Sequence, residues 1–94
     1  MENEHSLKEV LKGMVDSMKW KEKLHETKIR QVWNTRMGTT INNYTKDIKL
    51  RKGKLFITLT SAPLKQELSY EKEKIQKMMN RELGGEYVIS VIVR

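Results

Sequence analysis

The strongest constraint on the fold of this chain is a regular alternation of side chains beside a predicted tight turn. Leu55, Ile57 and Leu59 occupy every second position, which predicts a β-strand with one buried face. A shorter apolar run precedes this strand, and the turn between the two contains Gly53, which can adopt the left-handed conformation that tight hairpins require. We therefore expect a β-hairpin over residues 48–59.

Two helices are predicted before the hairpin. Ser6 and Glu9 fit a capping box at the start of the first helix. Apolar residues follow at helical spacing, at Leu7, Val10, Leu11, Met14, Val15 and Met18. The polar residues 19–23 are expected to bend or break this helix before the second one begins.

The second helix is predicted to run to about Met37 and to end at Gly38, after which a short helical turn can follow. Trp33 shares the helical spacing of Ile29 and Met37. We therefore expect Trp33 in the core.

A third helix is predicted over residues 62–83. Ser61 is a suitable N-cap, Pro63 fits the first turn, and Gly84 can end the helix. The last segment, Tyr87–Val93, is apolar on both faces and is expected to form a closing strand that sits between two partners.

The predicted order is therefore α-α-β-β-α-β, an α+β domain with a three-stranded sheet covered by helices on one face. The third helix forms a crossover, so the closing strand can lie parallel to the first or the second strand. The 94 residues are expected to form a single domain, 1–94, with residues 1–5 frayed and a modest core.

The positive charge is confined to the middle of the chain. Residues 21–60 carry ten basic and three acidic side chains and hold the whole formal charge of +7. A basic patch of this kind is the electrostatic footprint expected for phosphate. The candidate nucleic-acid-binding residues are Lys28, Arg30 and Arg36 on the second helix and Lys46, Lys49, Arg51, Lys52 and Lys54 on the hairpin.

Two other interpretations of the basic patch are open. Lysine side chains often guard the edge of a sheet and keep a surface hydrated. A basic face can also meet an acidic surface on a protein partner. The sequence does not separate these interpretations from binding to the backbone of DNA or RNA.

Catalytic and metal-binding chemistry finds little support in the sequence. The chain has no Cys, which excludes disulfides, thiolate nucleophiles and thiolate zinc sites. His5 and His25 are distant in sequence, and carboxylate pairs such as Glu22 and Glu26 alternate with Lys and are expected to be solvated surface. We expect no enzyme activity, no cofactor and no metal site.

Membrane insertion and secretion are not expected either. No apolar run approaches the roughly 20 residues that a membrane span needs. The polar, acidic start of the chain does not resemble a signal peptide. The cytoplasm is the expected location.

Four apolar residues are candidates for contact with a protein partner. Trp20 lies between two lysines and is expected to be exposed. Phe56 points away from the buried face of its strand, and Val88 and Ile92 are expected to share that uncovered face. Such a patch would suit a protein partner or a weak homodimer.

The stretch from Ile29 to the C-terminus carries a longer pattern. It contains a Trp before a helix-ending Gly, a hairpin of the form Leu-x-x-Gly-x-Leu-x-Ile-x-Leu-x-Ser, a Glu-Leu pair, an Asn, a Leu-Gly pair and a closing strand rich in Val, Ile and Arg. These positions are Trp33, Gly38, Leu50, Gly53, Leu55, Ile57, Leu59, Ser61, Glu67, Leu68, Asn80, Leu83, Gly84, Val91, Ile92, Val93 and Arg94. In this pattern the chain resembles the DciA family of small bacterial proteins, which is linked to loading or operation of the replicative helicase.

The resemblance implies a KH-like arrangement and a partnership with the replicative DNA helicase. Family members often show His-Thr-x-Pro before the hairpin and Trp-Ala before the Glu-Leu pair. At these places this chain has Asn-Asn-Tyr-Thr (residues 42–45) and Leu-Lys-Gln (residues 64–66). Many also carry a C-terminal extension, which is expected to be absent because the chain ends at Arg94. The Gly-x-x-Gly loop with which KH domains clamp nucleic acid is absent from the sequence.

Sequence and resemblance together predict a non-enzymatic, nucleic-acid-associated adaptor of the replicative helicase that binds the DNA backbone through the basic hairpin and helix. Two alternatives are a pure protein-interaction module and a KH-like RNA-binding protein. The choice between single-stranded DNA, double-stranded DNA and RNA is left open.

Overall fold

The computed structural model describes the backbone of residues 7–94 and the side chains of residues 19–94. Its elements are α1 (Leu7–Arg36), α2 (Gly38–Asn43), β1 (Thr45–Arg51), β2 (Lys54–Leu59), α3 (Ala62–Ser69), α4 (Lys72–Leu83) and β3 (Ser90–Val93). The α+β class and the three-stranded sheet predicted from the sequence are confirmed.

The residues predicted to form two helices before Gly38 form a single helix. α1 continues through residues 19–23, so the predicted break into two helices is wrong. Lys, Glu and Trp are all tolerated inside a helix, and the stretch contains neither Gly nor Pro. The predicted capping box at Ser6 and the apolar stripe up to Met18 lie outside the described side chains.

The end of α1 lies where it was predicted and is tied to the start of the hairpin. Gly38, the first residue of the short α2, has a φ of +83°, and this left-handed conformation stops α1 from continuing. The Trp33 indole N–H donates to the Thr45 hydroxyl at 3.0 Å, and that hydroxyl donates to the Ile41 carbonyl at 2.7 Å. The buried Trp33 therefore satisfies its one polar atom and fixes where β1 begins.

β2 is the central strand of the sheet. It pairs antiparallel with β1, with Ile48 opposite Ile57 and Leu50 opposite Leu55, and it pairs parallel with β3. The predicted hairpin is confirmed. The closing strand takes one of the two parallel arrangements that the crossover allowed, the one beside the second strand.

One face of the sheet packs against the helices. The buried apolar side chains are Ile29, Val32, Trp33, Ile48, Leu50, Leu55, Ile57, Leu59, Leu68, Ile75, Met79, Val88 and Val91. The opposite face carries Lys49, Phe56 and Ile92, which stay partly exposed. We call this second surface the open face of the sheet.

The predicted third helix is interrupted. The Ser61 hydroxyl accepts a hydrogen bond from the Leu64 N–H at 3.3 Å, which confirms the N-cap, but α3 ends at Ser69 and α4 starts at Lys72. A straight helix over residues 62–83 would be about 33 Å long, longer than a strand of six residues at about 20 Å. The interruption lets both shorter helices contact β3.

The closing strand is shorter than predicted and lies at an edge. Only Ser90–Val93 is a strand, and it pairs with β2 on one side, so the expectation of two partners is wrong. The preceding Val88 is held by Asn80, whose side-chain amide donates to the Val88 carbonyl at 2.9 Å and accepts from the Val88 N–H at 2.7 Å. No helix in the described part of the chain combines the length and hydropathy that crossing a membrane requires.

Candidate nucleic-acid interface

The hairpin turn presents three exposed cations within four residues. Lys52 and Gly53 have φ values of +50° and +80°, the pair of left-handed residues that defines a type I′ turn. Arg51, Lys52 and Lys54 surround this turn, and their side chains are exposed. We call these three residues the hairpin tip.

Side chains on successive turns of α1 hold the outer edge of β1. The Glu22 carboxylate accepts the Lys52 N–H at 2.8 Å, and the Glu26 carboxylate accepts the Leu50 N–H at 2.8 Å. The Arg30 guanidinium donates to the Ile48 carbonyl at 2.9 and 3.3 Å. We call Glu22, Glu26 and Arg30 the helix clamp, since their spacing of four residues matches the backbone groups of the strand edge.

The helix clamp shows that Glu26 is not solvated surface and gives Arg30 a structural role. Glu26 is only 7% exposed, so the prediction that Glu22 and Glu26 are both solvated surface is wrong. Glu26 is buried because its carboxylate accepts the hydrogen bond that a neighbouring strand would otherwise accept at this edge of β1. Arg30 was expected to meet phosphate, and the structure places its guanidinium on the Ile48 carbonyl, 3.7 Å from Asp47 and Glu26.

The other two predicted helix cations differ from each other. Arg36 donates to Glu82 at 2.8 Å and so links the end of α1 to α4. Lys28 is exposed on α1, and among the residues with described side chains it has no ion-pair partner. Of the three, Lys28 alone presents its charge to solvent without a described partner.

The remaining cations of the hairpin lie beside the tip. Lys49 is half-buried on the open face, where it is the register partner of Phe56. Lys46 is exposed at the irregularity in the pairing between Thr45 and Asp47. Together with the tip, these two lysines extend the positive surface along β1.

Arg94 joins this surface although charge counting along the chain did not single it out. Its guanidinium carbon lies 4.6 Å from the centroid of the Phe56 ring, and its Nε donates to the Thr58 hydroxyl at 3.3 Å. The available signal was the alternation of the closing strand, which places Arg94 on the same face as Ile92. The Arg94 side chain thereby adds a cation to the centre of the open face.

The candidate partner surface is only partly assembled as predicted. Trp20 is 64% exposed, and Phe56 and Ile92 are register partners on the open face, as expected. Val88 is 1% exposed, so its placement on that face is wrong. It precedes β3, and its bonds to Asn80 turn its side chain into the core, while Ile89 is 70% exposed instead.

The described residues offer no obvious place for a metal. No group of three or more His, Asp or Glu side chains within the described part of the chain is arranged to hold an ion. The chemistry of this surface is therefore that of fixed cations, one aromatic ring and backbone groups.

Comparison with known proteins identifies one family. The family model described as "Dna[CI] antecedent, DciA" matches residues 6–93 of the chain, which is nearly its whole length. No curated protein and no solved structure matches the chain. The KH-like arrangement implied by the resemblance therefore stays a prediction.

Proposed function

The chain belongs to the DciA family, and we propose that it is a non-enzymatic adaptor of the replicative helicase that holds the backbone of a nucleic acid at its basic hairpin. Membership of the family implies the loader-type adaptor role. The contact with nucleic acid is the additional part of the proposal, and it is based on the geometry of the hairpin.

The observation that supports this contact most strongly is that the cations of the hairpin tip are exposed and have no ion-pair partner among the described side chains. Arg51, Lys52 and Lys54 form no ion pair with any side chain of residues 19–94. Glu22 of the helix clamp binds the backbone of the turn at the Lys52 N–H, and the charged groups of the tip are left to solvent. The tip therefore presents cations on a fixed backbone, which lowers the entropy lost when they meet phosphates.

Contacts of this kind bind without reading the base sequence. Lys and Arg neutralise phosphates and release counterions, so affinity falls as salt rises. If about four phosphates are engaged, the logarithmic salt slope on single strands is near −3, at roughly 0.7 per contact.

Reversing the charge of the tip tests the proposal. We expect replacement of Arg51, Lys52 and Lys54 by Glu to abolish binding of an oligonucleotide, measured by fluorescence anisotropy at several salt concentrations. The matched control replaces Lys65, Lys72 and Lys77 on α3 and α4 by Glu, which changes the net charge equally away from the hairpin. The control should bind with a modest loss. Affinity that is indifferent to salt and to the tip reversal would contradict the proposal.

The helicase contact is proposed to lie on α1, beside the hairpin. Trp20 and Leu24 are 64% and 49% exposed and lie one helical turn apart, so they form an exposed apolar pair. Aromatic side chains with this exposure are typical anchors of protein interfaces.

A pull-down of the replicative helicase in the presence of nuclease tests this contact. We expect the helicase to stay bound after nucleic acid is digested, and replacement of Trp20 and Leu24 by Ala to release it, while Lys28→Ala does not. Loss of the helicase on nuclease treatment would contradict a direct contact. A helicase that stays bound to a protein without affinity for oligonucleotides would instead favour the pure interaction module.

The RNA-binding alternative is separated by a competition experiment. A KH-like RNA-binding protein prefers short single-stranded RNA and depends on the 2′-hydroxyl. Phosphate contacts alone predict equal competition by DNA and RNA strands of the same length.

A further inference from the structure

The open face of the sheet has a regular layout in which cations surround one aromatic ring. Across the strands, Lys49, Phe56 and Ile92 form one row, and Arg51, Lys54 and Ser90 form the row nearest the turn. Asp47, Thr58 and Arg94 form the third row. Phe56 is at the centre of this arrangement.

The charge on this face is strongly positive. Its four cations are Lys49, Arg51, Lys54 and Arg94, and its one acid is Asp47. The Asp47 carboxylate already accepts the Ile48 N–H at 2.9 Å and lies 3.7 Å from the Arg30 guanidinium. The four cations therefore outnumber the single acid on this face, and that acid also lies close to Arg30.

The centre of the face is apolar and accessible. Phe56 and Ile92 are register partners on adjacent strands, about 5 Å apart, and both are partly exposed. The Arg94 guanidinium lies over the Phe56 ring but is bound to the protein there by a single side-chain hydrogen bond of 3.3 Å. Arg94 is itself exposed, so it can move aside and leave the ring to a base.

We propose that the open face is a stacking site for single-stranded nucleic acid, in which an unpaired base lies on Phe56 and the surrounding cations hold the adjoining phosphates. This inference rests on the proposed function and adds the class of ligand. A flat aromatic ring inside a basic surface is the combination that binds single strands without sequence preference. A base inside a duplex is already stacked and cannot reach the ring without being unpaired.

The charge pattern favours this ligand over a protein partner. The core of a protein interface is depleted of charged residues, and lysine is among the residues depleted there. Here Lys49 lies directly beside Phe56, and Lys54 lies two residues before it on the same strand. An apolar protein patch would have to bury these ammonium groups, whereas a nucleic acid pairs them with phosphates.

The test uses the full chain with three oligonucleotides of equal length: a single strand, its duplex, and a single strand with abasic sites in place of the bases. Phe56→Leu removes the ring and keeps an apolar side chain, and Phe56→Tyr is the conservative control that keeps the ring. We expect Phe56→Leu to weaken binding of the single strand by about 5- to 100-fold, the loss typical of one stacked base. Binding of the duplex, binding of the abasic strand and the salt slope should be unchanged, and Phe56→Tyr should bind like the wild type.

Failure of this inference can be distinguished from failure of the proposed function. If the tip reversal abolishes binding but Phe56→Leu binds the single strand as the wild type does, the phosphate contact stands and the stacking site is wrong. Equal losses on the single strand, the duplex and the abasic strand would also overturn it, because no base would be involved. If the wild-type protein binds the abasic strand as tightly as the single strand with bases, the inference is overturned without any variant. This comparison can be made even if Phe56→Leu folds poorly.

Discussion

Lys52 has a backbone conformation that is unusual for a residue with a β-carbon. Its φ of +50° lies in the left-handed region, beside Gly53 at +80°. A side chain in that region costs about 1 kcal/mol, and Asn tolerates it better than Lys. Strain of this kind is tolerated in folded proteins when the surrounding structure fixes it, and here Glu22 binds the Lys52 N–H.

We therefore expect Lys52→Asn to change stability and binding in opposite directions. The free energy of unfolding, measured with urea, should rise by up to about 1 kcal/mol because the strain is relieved. Affinity for an oligonucleotide should fall because the tip loses one cation. A variant no more stable than the wild type would show that the turn holds Lys52 without strain.

Gly53→Ala provides the matching control at the next position. A β-carbon there would lie 2.6 Å from the Ile89 Cδ1 atom, in a backbone conformation that already disfavours it. We expect this variant to be less stable than the wild type. Opposite effects of the two substitutions would show that the turn does not accept every substitution and that Lys52→Asn acts by relieving strain.

At the level of elements, the helix clamp is the contact that joins α1 to the hairpin. Glu26 is buried and accepts the Leu50 N–H, whereas the bond from Glu22 to the Lys52 N–H is exposed. Loss of the Glu26 carboxylate leaves a buried donor without a partner, which costs about 1–3 kcal/mol. Loss of the Glu22 carboxylate lets water replace it.

We expect Glu26→Ala to lower the free energy of unfolding by about 2 kcal/mol and Glu22→Ala to lower it by clearly less. Glu26→Gln keeps an acceptor in the same place and should fall between Glu26→Ala and the wild type. Urea denaturation of the three variants measures the difference. Equal losses at positions 22 and 26 would mean that burial does not determine the strength of the clamp.

The elements show which parts of the fold a sequence can predict. The hairpin, the Ser61 cap and the ends at Gly38 and Gly84 were predicted correctly because each depends on residues within a few positions of one another. The interruption between α3 and α4 was missed because it depends on how the helices fit the sheet.

The sequence predicted the charged residues of the candidate site but not the hydrogen bonds from α1 that hold its backbone. The tip cations follow from composition and turn chemistry. The Glu26 and Glu22 bonds join residues 24 and 30 positions apart, which no local pattern shows. Their spacing of four residues along α1 with Arg30 was the one available signal. Val88 was misplaced because period-two alternation was extended beyond the strand that obeys it.

At the scale of the whole molecule, the arrangement of charge argues against self-association through the open face. In a twofold dimer the same surface faces itself, so the four cations would meet four cations. We therefore expect light scattering at two protein concentrations in low salt to give a mass that Ile92→Thr does not change. A mass that rises with concentration and falls again in Ile92→Thr would favour the weak homodimer suggested by the sequence.

The molecule is elongated, with dimensions of 59 × 23 × 20 Å. α1 has 30 residues and is about 45 Å long, roughly twice the length of the strands. The helix must therefore extend beyond the sheet at one end.

The order of contacts in the helix clamp determines which end that is. Going backwards along α1 from Arg30 to Glu22, the bonded positions on β1 advance from Ile48 to Lys52, so the helix and the strand run in opposite directions. The residues of α1 before Glu22 therefore continue past the hairpin turn and form a backstop along one flank of the tip. A nucleic-acid strand that lies across the hairpin tip has α1 on one side and solvent on the other. The two flanks of the tip are therefore not equivalent. A ligand is therefore expected to enter and leave from the flank that α1 does not obstruct, on the side of the tip away from Trp20.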